Sequence, residues 1–289
     1  MKKIELAKNL IRDNPGWLTC PVCASPLAPG NGNAVACGKS HNFDLSASGS
    51  LNLLRSKPPE DYGAQMLESR HSVCRVGFFD SLLDAVASML AVHKGGDTIR
   101  LLDAGCGEGS HLMAVRNQLA AQGIDISAIG VDISKDAIRI AAREHMGALW
   151  MVADLACLPM LDRSTHAILN ILSPINYGEF SRVLHDEGLV VKAVPGSEYL
   201  KELRLALYAG EDREQYSNEQ VVKLFEQRFD VVAAKHVQQS FPVPDGLWPH
   251  IVAMTPLSWD SAEYKRAEVI AAPPQAVTID FLVMAGKKR

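Results

Sequence analysis

Three cysteines and a histidine stand in a spacing that suits metal binding: Cys20-Pro21-Val22-Cys23, then Cys37 and His41, giving C-x2-C-x13-C-x3-H. Thiolates and imidazole are the ligands Zn2+ prefers. Four of them close a tetrahedron with no open position, so the expected site is structural. The plainer reading, buried thiols beside a surface histidine, leaves the spacing without a cause. A second constellation is Leu101-Leu102-Asp103-Ala104-Gly105-Cys106-Gly107-Glu108-Gly109-Ser110, between an expected strand and an expected helix. Glycines at alternate positions let the backbone turn sharply and approach a ligand where a Cβ would block it.

Dinucleotide folds use a related G-x-G-x-x-G loop to hold a pyrophosphate. The pattern here is Asp-x-Gly-x-Gly-x-Gly, and an acid at the strand end would repel pyrophosphate while favouring a ligand that bears ammonium and sulfonium charges. Two further acids follow. Asp132 with Ile133 ends the next expected strand, where a carboxylate can accept both hydroxyls of a ribose. Asp154 with Leu155 ends the third, placed to accept from an adenine amino group. The competing reading, in which Asp103 and Asp132 merely cap helices and the glycines merely turn, does not account for the whole set. This ensemble resembles the class I S-adenosylmethionine methyltransferases, whose loop is typically D-x-G-C-G-x-G.

The elements that must position these residues follow from hydrophobic period. Helix is expected from Met66 to His93. Strands are expected at Ile99–Leu102, Ala128–Val131, Trp150–Val152, Ala167–Ile171 and Leu189–Lys192, with helices at Leu112–Ala121, Ala137–Glu144 and Tyr177–Leu184 between them. That alternation predicts β-α-β units with right-handed crossovers. Leu200–Tyr208 and Asn218–Gln227 look helical. Val231–His236 and Val277–Met284 look like strands, suiting an antiparallel edge hairpin on a mostly parallel sheet. The expected fold is thus α/β, a Rossmann-like class I methyltransferase sheet with a small N-terminal zinc-ribbon or knuckle module. Gly and Pro are dense from Pro15 to Gly49, where a metal substitutes for a core. Lys57-Pro58-Pro59-Glu60-Asp61 reads as a linker, dividing a module of residues 1–57 from a methyltransferase domain of residues 58–289.

Composition sets outer bounds. The 289 residues are 47% hydrophobic and 21% charged, enough for a soluble core. Charged residues interrupt any signal-peptide core after Met1, and no apolar run approaches the roughly 18 residues of a membrane span, so a cytoplasmic protein with no membrane partner is expected. The three cysteines outside the cluster, at 74, 106 and 157, are read as buried thiols of a reducing compartment and not as disulfides. The net charge of -4 excludes a uniformly basic nucleic-acid binder. Residues 1–60, however, carry Lys2, Lys3, Lys8, Arg12, Lys39, Arg55 and Lys57 against Glu5, Asp13, Asp44 and Glu60, a local surplus of positive charge.

With both constellations in view, the chain resembles the large-subunit (23S) rRNA (guanine-N1)-methyltransferases of the RlmA type, which include tylosin-resistance enzymes. The residues behind this are Cys20-Pro-Val-Cys23, Cys37-x-x-x-His41, Phe43-Asp44, Gly49-x-Leu51-Asn52-Leu53-Leu54, Asp103-x-Gly-Cys-Gly-Glu-Gly109, Val131-Asp132-Ile133-Ser134-Lys135, Pro195-Gly196, Leu200-x-Glu202-Leu203 and Met254-Thr255-Pro256. The resemblance implies that the zinc module helps hold an rRNA hairpin while the larger domain methylates a guanine at N1, with large-subunit rRNA as partner, no DNA, and a homodimer left open. It also implies that Phe79, Glu108, Gly109 and Tyr199 border the cofactor. Phe79 stands where the family usually has Tyr, and Tyr199 where it has His.

Guanine N1 carries a proton at neutral pH, so an acceptor must act as the new bond forms. The segment Asn170-Ile171-Leu172-Ser173-Pro174-Ile175-Asn176 follows the fourth expected strand, where such folds meet substrate. Ser173, Pro174 and Asn176 are the substrate-facing candidates, against a simple turn. His166, His185 and His236 each fall in or beside regular structure and read as packed or solvated. Two other functions stay in play: a small-molecule methyltransferase of the quinone type, which would have no use for the zinc module, and a non-catalytic RNA or ribosome binder, which would have no use for the acid-and-glycine set.

Overall fold

The computed structural model describes residues 2–55, 63–92 and 98–289. The linker read at Lys57–Asp61, the pair Gly95-Gly96 and the expected helix end at His93 lie outside the described residues. In chain order the elements are α1 (Lys3–Asp13), β1 (Leu27–Pro29), β2 (Ala34–Cys37), β3 (Asn42–Asp44), β4 (Leu51–Asn52), α2 (Ala64–Arg75), α3 (Asp80–Ala91), β5 (Thr98–Ala104), α4 (Ser110–Ala121), β6 (Asp125–Asp132), α5 (Lys135–Glu144), β7 (Leu149–Val152), β8 (Thr165–Ile171), α6 (Tyr177–Val183), β9 (Leu184–Pro195), α7 (Lys201–Tyr208), α8 (Glu219–Arg228), β10 (Phe229–Pro242), α9 (Trp248–Met254), α10 (Glu263–Ala271) and β11 (Ala276–Lys288).

The main sheet has the order β10-β11-β9-β8-β5-β6-β7-β4. Every pair from β4 to β9 is parallel, and β11 and β10 add antiparallel. The parallel strands are apolar on both faces because helices cover both. Alternate residues enter two cores: Leu101, Val191 and Phe281 pack with α3, α4, α7 and α9, while Leu102, Val190 and Met284 pack with α1, α6 and α8. The expected class I sheet is therefore present, with all five central strands where the apolar runs place them. The terminal pair differs in one respect. The segment between β10 and β11 carries α9 and α10, and β11 sits inside the sheet with β10 outermost.

The single helix expected from Met66 is two helices. Gly77 adopts φ +81 and a Cβ there would fall 2.7 Å from the Asp80 carboxylate, so the chain breaks between α2 and α3.

The N-terminal module, a small antiparallel sheet β1-β2-β3 with α1 beside it, does not stand apart. Its Ala7, Ile11, Trp17, Leu27, Val35 and Leu51 join Ile129, Leu149 and Met151 in one core. Trp17 is fully buried and its Nε1 donates to Thr165 Oγ1 at 3.0 Å. Covering a ring of that size is worth about 4–6 kcal/mol before entropy. Strand β4 pairs with β7, and Leu53 N donates to Val152 O at 2.9 Å, so the module also extends the main sheet.

Candidate functional site

Strand order reverses between β5 and β8: β6 and β7 extend from β5 on one side, β9 extends from β8 on the other. Loops leaving the carboxyl ends of these two strands diverge and open a crevice. The glycine loop leaves β5 there and residues 172–176 leave β8. Gly105, at φ +84, lies so close to the second loop that a Cβ would fall 1.8 Å from Ser173 Oγ. Gly109, at φ +90, lets the Trp150 ring approach to 2.6 Å of where its Cβ would be. Cys106 turns inward, its Sγ beside Gly130, and burial pushes its thiol far up. It is a packing residue, and only its backbone is left to border a ligand; Cys157, expected to be buried, is instead exposed in the turn that follows β7.

Asp103 is 1% exposed, and its Oδ2 has no hydrogen-bond partner among the described residues. Burial pushes its pKa up to about 7, with Asp132 and Glu108 adding to the rise and Arg70 on α2 opposing it. A buried carboxyl with an idle oxygen is suited to a cationic partner. Asp132 at the end of β6 accepts from Gly107 N through Oδ2 and from Ser134 N through Oδ1, both at 2.9 Å. Each oxygen keeps a second lone pair. The helix-capping alternative fails for both acids: Gly109 occupies the N-cap of α4, and Ser134 caps α5 by accepting from Ala137 N. Ile133 is half-buried beside Asp132. Asp154 and Leu155 follow β7 half-buried, with Asp154 Oδ1 accepting from Ala156 N at 2.8 Å and Leu155 reaching towards Gly105.

One wall is aromatic. Phe79 at the start of α3 meets His111 edge-on at 4.7 Å and Phe281 at 6.0 Å, and Tyr199 packs 4.8 Å from Phe281. Burial raises the Tyr199 hydroxyl and lowers the His111 imidazole to about 3, so both are neutral at physiological pH. Glu108 is 2% exposed. His71 Nδ1 lies 2.9 Å and Ser110 Oγ 2.6 Å from its Oε2. Burial alone would raise this carboxyl, but His145, His71 and Ser110 together hold it well below the usual range.

In the second loop Leu172 takes a left-handed φ of +52, Ser173 lies against Gly105, and Pro174 is exposed. Asn176 accepts from Glu179 N at 3.0 Å and caps α6. Beneath them lies a network with no signature in the sequence. Buried Lys192 donates to Asn170 Oδ1 at 2.6 Å and to Ser173 O at 3.2 Å, and Asn170 Nδ2 donates to Ala104 O and Pro174 O. Burial lowers this lysine to about 8. The one available hint was a charge inside the apolar run Leu189-Val190-Val191-Lys192-Ala193-Val194. Of the histidines weighed as bases, His166 and His185 sit at the opposite end of β8 and β9, and His236 on β10 pairs with buried Asp280 at 2.5 Å.

The cysteine cluster assembles as its spacing implies. Cys20 Sγ and Cys37 Sγ lie 3.6 and 3.4 Å from His41 Nδ1, and Cys23 Sγ lies 3.7 Å from Cys37 Sγ. All four ligand atoms lie within 4.8 Å of one another. Zn–S bonds of about 2.3 Å at tetrahedral angles place sulfurs roughly 3.8 Å apart, so the set fits Zn2+ closed by protein alone. Hydrogen bonds from Ser25 draw the Cys23 thiol down to about 6, favouring the thiolate a metal needs.

Comparison with known proteins adds independent findings. The methyltransferase-domain family matches residues 101–188, and the RlmA N-terminal zinc-ribbon family matches residues 18–57. A Bacillus subtilis (strain 168) protein, YxjB, provisionally named a 23S rRNA (guanine-N(1)-)-methyltransferase, is 36% identical over 93% of this chain and 96% of its own. The 23S rRNA (guanine(748)-N(1))-methyltransferase of Streptomyces fradiae is 29% identical over 93% of this chain and 94% of its own. A Micromonospora griseorubida protein, provisionally named for the same guanine-N(1) reaction, is 28% identical over 94% and 97%. No helix among the described residues is long and apolar enough to cross a membrane.

Proposed function

Because the chain belongs to the RlmA-type family of 23S rRNA (guanine-N1)-methyltransferases, we propose that it transfers a methyl group from S-adenosylmethionine to N1 of a guanine in a large-subunit rRNA hairpin, in the cytoplasm. The observation that carries the reading is Asp103: a buried carboxyl with an unbonded oxygen, at the point where the sheet's strand order reverses. S-adenosylmethionine supplies an activated methyl on a sulfonium, so the chain's own task is alignment. In this reading Asp103 faces the ammonium, the backbone of Gly105, Cys106, Gly107, Glu108 and Gly109 cradles the methionine end, Asp132 with Ile133 takes the ribose, and Asp154 with Leu155 takes the adenine. Phe79 and Tyr199 close the aromatic wall and keep water out.

Ser173 and Pro174 present the guanine, and Asn176 acts through the fold by capping α6. The lysine network beneath holds that loop against Gly105, which fixes the distance between donor and acceptor. A base within an RNA hairpin has to be accessible or turned out of its stack to be reached. The module of residues 1–57 grips the hairpin with its exposed basic side chains, Arg12, Lys39 and Arg55 among them, while Lys3 and Lys8 bond backbone carbonyls within the fold, and residues 58–289 perform transfer. DNA is not a substrate in this reading. A small-molecule methyltransferase would share the crevice but would leave the zinc ribbon without a task.

The test is incubation of the purified protein with methyl-labelled cofactor and, separately, naked large-subunit rRNA, duplex DNA and small phenols. Label in rRNA alone, with a primer-extension stop at a guanine, is the expected result. Label confined to a phenol would overturn the assignment.

A further inference from the structure

A second metal-binding geometry lies outside the zinc ribbon. His71 from α2, Glu108 from the glycine loop and His145 just past α5 converge from three elements. Their ligand atoms all lie within 4.8 Å of one another, with Glu108 Oε2 2.9 Å from His71 Nδ1 and 3.9 Å from His145 Nε2. The two imidazole centroids are 6.0 Å apart, on the order of what two histidines on one tetrahedral ion require with Zn–N near 2.1 Å.

An ion pair alone does not account for the arrangement. His71 Nδ1 already bonds Glu108 Oε2 at 2.9 Å, yet His145 Nε2 is also buried against the same oxygen, 3.9 Å away, with no hydrogen-bond partner among the described residues. A buried ring nitrogen in that state lacks what a metal would provide. We propose that His71, Glu108 and His145 bind a divalent transition metal, with Zn2+ the best match to two imidazoles and a carboxylate and a fourth position left for water. The site is separate from the Cys20, Cys23, Cys37 and His41 centre. It is compatible with the cofactor crevice, because Glu108 contributes its side chain here and only its backbone there. Since Glu108 stands between Gly107 and Gly109, an ion at this point anchors the cofactor loop to α2 and α5.

The experiment uses the full chain with its ribbon already loaded with zinc. Co2+ is added, unbound metal is removed by gel filtration, and bound metal is counted by mass spectrometry alongside the visible spectrum. The expected result is one cobalt per chain, with d–d bands but no thiolate charge transfer, in addition to the ribbon zinc. H71A and H145A should each reduce cobalt binding at least tenfold while keeping the ribbon zinc, and circular dichroism of both variants reports whether they fold. H145Q, which keeps a polar side chain of similar reach, is the second variant should H145A fail to fold. Absence of bound cobalt, a thiolate charge-transfer band, or binding that survives the histidine substitutions would each overturn the proposal. None of these readouts depends on methylation, so the site and the rRNA assignment stand or fall separately.

Discussion

At neutral pH burial leaves Asp103 near half protonation, with one oxygen unbonded. A cationic ligand binds the carboxylate and not the acid, so affinity for S-adenosylmethionine should rise as pH climbs through about 7 and level off above it. Stability without ligand runs the other way. A carboxyl whose folded pKa lies above its unfolded value of 3.8 favours folding most at low pH and loses that contribution as pH rises towards 7. Asp103→Asn should flatten the binding profile and weaken binding by about tenfold, or ~1.4 kcal/mol. Calorimetric titration between pH 6 and 8.5 is the check, and a flat profile in the unaltered protein would sink this role for Asp103. Gly105→Ala tests the crevice sterically. Its Cβ would collide with Ser173, and at φ +84 the backbone is strained besides. A loss of about 1–3 kcal/mol in stability and at least tenfold in cofactor affinity is expected, measured by melting and by titration. These residues were legible in the sequence because glycine at alternate positions and acids at strand ends have few other uses. The partners of Glu108 were not, since His71 and His145 lie 37 residues before and 37 after it, and no local spacing announces such a meeting.

At the scale of elements, the junction between β5 and β8 depends on two side chains projecting from neighbouring strands. Asn170 on β8 bonds the last residue of β5 and the turn after β8, and Lys192 on β9, its register partner, holds Asn170 in place. Lys192→Met keeps the volume but leaves Asn170 Oδ1 and Ser173 O without this donor, an expected cost of about 1–3 kcal/mol. The lost bonds are offset in part because methionine carries no buried charge: a lysine lowered by burial from 10.5 to about 8 weakens the fold fully below pH 8, and that penalty fades as pH rises from about 8 towards 10.5. The variant should therefore be destabilised more at pH 9.5 than at pH 7, read from melting curves at both. Equal destabilisation at the two values would show that burial does not lower the lysine and that it stays charged in the fold. The strands themselves were readable because helices on both faces force continuous apolar runs. Their ends were not: β9 spans Leu184–Pro195 where only Leu189–Lys192 was expected, since its polar start carries no period. The broken helix at Gly77 shows the same limit, because apolar spacing continued across a backbone turn that only a left-handed glycine permits.

On the scale of the whole molecule, the sequence divides into a metal module and a sheet domain, while the structure joins them through one core. Composition shifts mark where a chain changes character, but they do not say which surfaces touch. Trp17 reaches Thr165, Asn14 Nδ2 reaches Ser127, Lys3 Nζ reaches the end of α5, and β4 completes the sheet beside β7. Zinc loss should therefore propagate into the sheet. Cys23→Ser, or chelation of the native protein, is expected to lower a single melting transition by ~5–15 °C, since binding a structural zinc contributes to folding itself. Two separated transitions would show instead that the module folds alone. The same linkage predicts an order of functional losses. β7 leads directly into Asp154, so cofactor affinity should weaken a few-fold when β4 loosens, while rRNA methylation, which in this reading also needs the module's grip on the hairpin, should fall far more. Measuring both in the zinc-free protein separates the two effects. Equal losses would mean that the ribbon acts only by bracing the sheet, and intact methylation would remove it from RNA recognition altogether.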